Sequence, residues 1–195
     1  MMASQTKTLP PWCIRLLASL QSADERATAL ASSLSAAQLN WKVQPSTWSI
    51  GQCLHHLYVT NVVYLAAIEE SLKGHPEGPV DEVTPGWFGR WFIRSYIEPS
   101  SQSRRARAPK KIAPTSLVDV AILDQFLRSN QEARNTIRRA SNYDVNRIRF
   151  RNPFLSLIRF TVGTGFEIVT RHEHRHLLQA ERIRQSSDFP AAPFL

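Results

Sequence analysis

The sequence predicts an all-α fold, a four-helix bundle running up-down-down-up with a long crossover between its second and third helices. Three observations carry that prediction. Four stretches, at about 12–35, 48–73, 115–141 and 154–186, repeat apolar residues at helical spacing. No stretch alternates apolar and polar residues as a half-buried strand would. One connection, 74–114, is far longer than a link between neighbouring antiparallel helices needs to be.

The elements follow in order. Pro10 and Pro11 punctuate the start of the first predicted helix, whose apolar positions include Ile14, Leu17, Leu20, Ala27, Leu30 and Leu34. Residues 36–47 form a link through Asn40 and Pro45, and Ser46-Thr47 is placed to cap the second predicted helix. That helix presents Ile50, Leu54, Leu57, Val63 and Ala67 on one face and stops at Gly74 and Pro76. Within 74–114, Trp87, Phe88, Trp91, Phe92, Ile93 and Tyr96 form an aromatic cluster expected to cover the bundle, and a basic run follows it (Arg104, Arg105, Arg107, Lys110, Lys111). Thr115 or Ser116 is placed to cap the third helix, with Asp119 at capping-box spacing from Ser116. The fourth follows a polar link, 142–153, with Gly163 and Gly165 weakening its middle, and the tail from Asp188 is expected to be non-helical.

Composition bounds the function classes. Hydrophobic residues make up 43% and Gly plus Pro 19 of 195, which excludes collagen-like and wholly disordered chains. A length of 195 fits one domain, 1–195, and is short for two. Cys13 and Cys53 are too sparse for a disulfide framework and suit a reducing, cytoplasmic compartment. Arg15 interrupts the apolar stretch near the N-terminus and Arg159 with Glu167 interrupt a later one, so neither a signal peptide nor a membrane span is expected. The net charge is +8, and since residues 1–97 carry seven charges of each sign, the whole excess lies in 98–195. That half admits a nucleic-acid or anionic-membrane binder. Its charges, however, fall in one loop run and, as Arg128, Arg134, Arg138 and Arg139, around the third helix. The expected reading is therefore a solvated surface, with neither nucleic acid nor membrane as a partner.

Five of the six histidines lie in two clusters. His172 and His176, four apart on a helix, project from one face and can share one ion, while His174 points elsewhere. Of the adjacent pair His55 and His56, only one can face the same interior. The neighbours of His56 at helical spacing (Gln52, Cys53, Val59, Thr60, Val63) suit an inward face, which turns His55 outward. Helical rise places His56 about 10 Å from the start of the second helix and His172 and His176 about 15 to 20 Å before the end of the fourth. Only antiparallel second and fourth helices bring the three to one depth, in agreement with the long crossover.

Trp48-Ser49-Ile50-Gly51-Gln52-Cys53-Leu54-His55-His56-Leu57 resembles the W-S-x6-H-L motif of the DinB/YfiT-like superfamily. His172-Glu173-His174-Arg175-His176-Leu177-Leu178-Gln179 resembles its H-x3-H-L-x-Q element. The resemblance spans roughly all four helices and implies a bundle with the long second crossover, in which His56, His172 and His176 hold a divalent metal. Zinc or nickel is expected ahead of iron or manganese. The resemblance also implies a small-molecule substrate, with either metal-dependent hydrolysis or transfer to a low-molecular-weight thiol, and it allows a homodimer. The aromatic insertion and the basic run match nothing in the family pattern.

The same five residues, His172 to His176, read H-E-x-x-H, the zincin signature with Glu173 as general base. Zincins take a third ligand from downstream, and the 19 residues after His176 contain no histidine. Three neutral imidazoles would leave the ion its full charge and an open position, as in catalytic sites, where a bound water or thiol is activated. Gln52, Cys53, Thr60 and Gln179 are candidates to support the ligands, against a plainer reading as packing and capping residues. Glu173, about 100° round the helix from His172, is expected at the surface, and Trp48 as a core anchor. The competing class is a non-catalytic bundle that acts as a dimer, a partner module or a nucleic-acid binder.

Overall fold

The computed structural model of the chain describes residues 8–98, 109 and 112–191. Four long helices form the bundle: α1 (Pro11–Ala31), α3 (Ile50–Leu72), α5 (Ile122–Ala140) and α6 (Val162–Arg184). Two short ones accompany them, α2 (Ala36–Asn40) and α4 (Trp87–Phe92), the latter running into a π-helical turn at Ile93–Ile97. Side-chain pairs give the directions. Asp24 of α1 meets Asn130 and Arg134 of α5, and Arg15, Ser19 and Arg26 of α1 meet Glu167, His174 and Glu181 of α6 in matching order. Asn61 and Glu69 of α3 meet Asn130 and Thr136 of α5, so those two run parallel. His56 lies beside His172 and Ile68 beside Gly165, so α3 and α6 run antiparallel. The bundle is thus up-down-down-up, and the stretch between α3 and α5, 73–121, is its crossover. Among the described residues no helix is long and apolar enough to cross a membrane.

Helix ends depart from the sequence reading for local reasons. The first predicted helix stops at Ala31, because Ser35 and Gln38 form a reciprocal capping box that starts α2. Ser49, with Gln52 in a second such box, caps α3 in place of Ser46-Thr47, and Thr47 instead closes a turn on Gln44. The third helix begins at Ile122 rather than 115, without the expected Ser116–Asp119 box. The preceding segment is pinned by Asn40, whose side chain bonds both the N–H and the C=O of Val118.

The largest correction concerns 149–161. Instead of helix from Phe154, an antiparallel hairpin pairs β1 (Arg149–Arg151) with β2 (Arg159–Thr161), and Thr161 caps α6. Phe150 and Phe160 point inward and the arginines outward. Gly163 and Gly165 lie in the first turn of α6, not its middle. A Cβ at Gly165 would stand 2.7 Å from the buried Phe150 ring. The aromatic insertion covers the bundle in part: Phe88 and Phe92 pack on Phe160, whereas Trp87 and Trp91 remain exposed. The basic run at 104–111 lies outside the described residues.

The apolar core has two halves. One gathers Trp12, Cys13, Leu16, Tyr64, Ile68, Ile137, Phe150 and Phe166, and the other Ala27, Leu39, Ile50, Cys53, Leu54, Phe126 and Leu177. Between them, at the middle of α3, α5 and α6, lies a buried polar layer. The Glu173 carboxylate accepts from Asn61 at 2.8 Å and from Asn130 at 3.2 Å, and Asn130 in turn donates to Asp24, which Arg134 pairs. Glu173 is therefore fully buried, contrary to the surface position expected for it. A carboxyl group is tolerated there because both of its oxygens are hydrogen-bonded.

Two outcomes follow for stability. Gly165→Ala should cost about 1–3 kcal/mol by overpacking against Phe150, while Gly78→Ala, which meets open space, should be close to neutral in the same urea titration. Glu173→Ala should cost about 2–4 kcal/mol through the loss of two buried hydrogen bonds and of the side chain's packing. Glu173→Gln, which keeps an acceptor and the side-chain volume, should cost less than half of that.

Candidate metal centre

Local sequence sets the three rings. The Ser49–Gln52 box starts α3 so that His56 falls in its second turn, facing α6, and the one-turn spacing of His172 and His176 stacks them on the opposing face. The structure brings His56, His172 and His176 together: one ring nitrogen from each lies within 4.8 Å of the others. Ring centroids are 5.0 Å apart for His56 and His172, 4.7 Å for His56 and His176, and 4.6 Å for His172 and His176. Trp48 closes one side, with its ring 4.9 Å from that of His56 and stacked at 5.4 Å on that of His176. His56 and His176 are buried and His172 is half-buried.

The outer nitrogens of His56 and His176 are engaged. His56 Nδ1 lies 2.8 Å from the carbonyl of Ile112 and therefore carries its proton, which leaves the Nε2 lone pair facing the cluster. His176 Nδ1 lies 3.0 Å from Gln179 Oε1, with the same consequence. Burial pushes all three rings below the ordinary histidine range, His176 to about 3, and His56 further disfavours charge on His172 and His176. Three neutral imidazoles with converging lone pairs are a donor set for a divalent cation. Two imidazole nitrogens held at 2.0–2.1 Å by one tetrahedral ion would stand about 3.3 Å apart. The Nε2 atoms of His56 and His172 are 3.2 Å apart. The residues present fit such an ion.

The remaining candidates separate. His174 turns away to Ser19 and Arg26, and His55 sits edge-on to Tyr58. Glu173 faces Asn61 and Asn130 rather than the histidines, and burial raises its carboxyl to about 8 against the pull of those two amides. Among the four supporting candidates, Gln179 alone bonds a histidine of the cluster. Gln52 caps α3 and donates to Thr115 O, which ties down the end of the crossover. Cys53 is core, with its thiol pushed up by burial, and Thr60 is buried nearby. Two participants escaped the sequence reading. Trp48, expected as a plain core anchor, is half-buried and lies against two of the rings. The Ile112 carbonyl is backbone and carries no side-chain signal at all.

No curated protein sequence matches this chain. Among solved structures, YfiT from Bacillus subtilis is similar with a TM-score of 0.60 over 94% of this chain and 92% of its own, at 13% identity. That protein is described as a probable metal-dependent hydrolase with an unusual four-helix bundle topology. At such identity the likeness speaks to the fold alone, and it agrees with the helix directions given above. The DinB superfamily matches residues 19–180, a span that runs from within α1 to within α6 and includes all three clustered histidines. The chain belongs to the DinB superfamily.

Proposed function

We propose that His56, His172 and His176 bind one divalent ion and that the protein is a metal-dependent enzyme acting on a small molecule. The observation that carries this reading is the convergence of three neutral ring nitrogens within 4.8 Å of one another. When bound, the ion supplies a Lewis acid with a free position, which serves hydrolysis of an ester or amide, or transfer to a low-molecular-weight thiol. The chain's own contribution is to fix and desolvate the ligands. Ile112 and Gln179 hold the outer ring protons of His56 and His176, so that neither imidazole needs to reorient when the ion enters. Trp48 covers one flank of the cluster, with its ring against those of His56 and His176. Hydrolysis takes precedence over thiol transfer because the structurally similar YfiT is described as a probable hydrolase. Zinc or nickel is the first expectation for the ion, ahead of iron or manganese.

Elemental analysis of protein freed of any histidine tag should find close to one equivalent of a divalent metal in the wild type. His56→Ala and His172→Ala should each lose nearly all of it, and metal retained by both variants would sink the three-histidine site. An ester panel and a thiol-conjugation panel should each be run before and after chelation. Turnover in one of them should fall at least a hundredfold on chelation and return with added metal. Gln179→Ala should keep the fold and weaken metal affinity by about 10–100-fold in a competition titration.

A further inference from the structure

The β1–β2 hairpin carries a surface that neither the bundle nor the metal centre explains. Its outward face bears Arg149, Arg151 and Arg159, and the strand register sets Arg151 directly opposite Arg159. Like charges facing each other across a ladder oppose the pairing. Among the described residues none of the three meets a carboxylate. The connection between the strands presents two leucines to solvent, Leu155 at 43% and Leu157 at 99% exposure.

These leucines do not sit on a loose loop. Asn152 is buried, donates to Tyr64 and accepts from the N–H groups of Phe154 and Leu155. The backbone bonds Ile158 N–H to Leu155 O and Asn152 N–H to Ile158 O close the turn. Phe154 is anchored inward at 5.7 Å from Tyr64. An apolar tip is thus held in place, with unpaired cations beside it. The adjoining α4, packed on Phe160, adds Trp87 at 75% exposure.

We propose that this hairpin docks the protein on an anionic lipid surface, with Leu155 and Leu157 entering the interfacial region and Arg149, Arg151 and Arg159 meeting lipid phosphates. Apolar insertion combined with cationic attraction is what reversible interfacial binding requires, because a few residues of either kind are too weak alone. Charged residues on short strands also discourage edge-to-edge aggregation, which accounts for arginines but not for a wholly exposed leucine between them. A polyanion such as nucleic acid would use the arginines and have no use for two aliphatic side chains at the tip.

The test is sedimentation of the full chain with vesicles of phosphatidylcholine alone and of phosphatidylcholine with phosphatidylglycerol in equal parts, at low and near-physiological salt. Binding is expected to the anionic vesicles only, and to weaken as salt rises. Replacing all three hairpin arginines by glutamine should weaken it about a hundredfold, as three charges near the surface imply. Leu155→Ser with Leu157→Ser should weaken it at least about tenfold. Replacing the exposed Arg128, Arg138 and Arg182 by glutamine removes equal charge elsewhere and should leave most of the binding. Helical content and melting of each variant should match the wild type, since every changed side chain is exposed. Absence of anionic-vesicle binding by the wild type would overturn the proposal. So would equal loss in the two arginine triples, or indifference to the leucines. A gel shift of short duplex DNA, abolished by the hairpin arginine changes while vesicles are ignored, would assign the surface to nucleic acid instead.

Discussion

The hydrogen bond between Asn61 and Glu173, at the midpoint of two antiparallel helices, is the interaction on which the remaining geometry depends. A buried carboxylate must meet donors, and only one rotation of α6 points Glu173 at Asn61 and Asn130 together. With about 100° per residue, that rotation swings His172 and His176 to the same side of Glu173, within about 40° of one another. The polar layer thus aims the two histidines at α3, although none of its members belongs to the cluster. It also fixes axial register. A slip of one turn, about 5.4 Å, would set Glu173 against the apolar Leu57 or the phenol ring of Tyr64, leaving the carboxylate without its amides.

The crossover completes what the helix pair begins. Its last part brings the Ile112 carbonyl to His56 and the Thr115 carbonyl to Gln52, so the connection that reverses the chain direction also holds the proton of one candidate ligand. Topology and ligand chemistry are therefore joined in one segment. A bundle with a short second connection could carry the same three histidines and would lack the acceptor that orients His56.

The helices and the histidine cluster were legible in the sequence because both are periodic signals. Apolar residues recur at three and four, and a pair four apart on α6 faces an inward position on α3 at matching depth. What was illegible lacked such a signal. Each strand of the hairpin has a single inward residue, Phe150 or Phe160, and three residues are too few to distinguish a period of two from a helical turn. Ser46-Thr47 looked like a cap, but Ser49 has the glutamine three residues on that makes the reciprocal bond. Glu173 was assigned to the surface from its angle to His172 alone. In a bundle, however, the face of α6 next to the histidines also looks into the interior, and the partners that make burial tolerable, Asn61 on the neighbouring α3 and Asn130 on the diagonal α5, lie 112 and 43 residues away. Ile112 acts through its backbone, so no reading of side-chain types could have found it.

The polar layer separates two apolar compartments, and each holds one cysteine, Cys13 in one and Cys53 in the other. Both are buried, and burial disfavours the thiolate of each. A thiolate is the reactive form, so each sulfur stays silent toward alkylating reagents until its own compartment opens. The molecule thereby contains two internal clocks, one on either side of the carboxylate. Their rates of modification in the native state report whether the bundle breathes as one unit or as two.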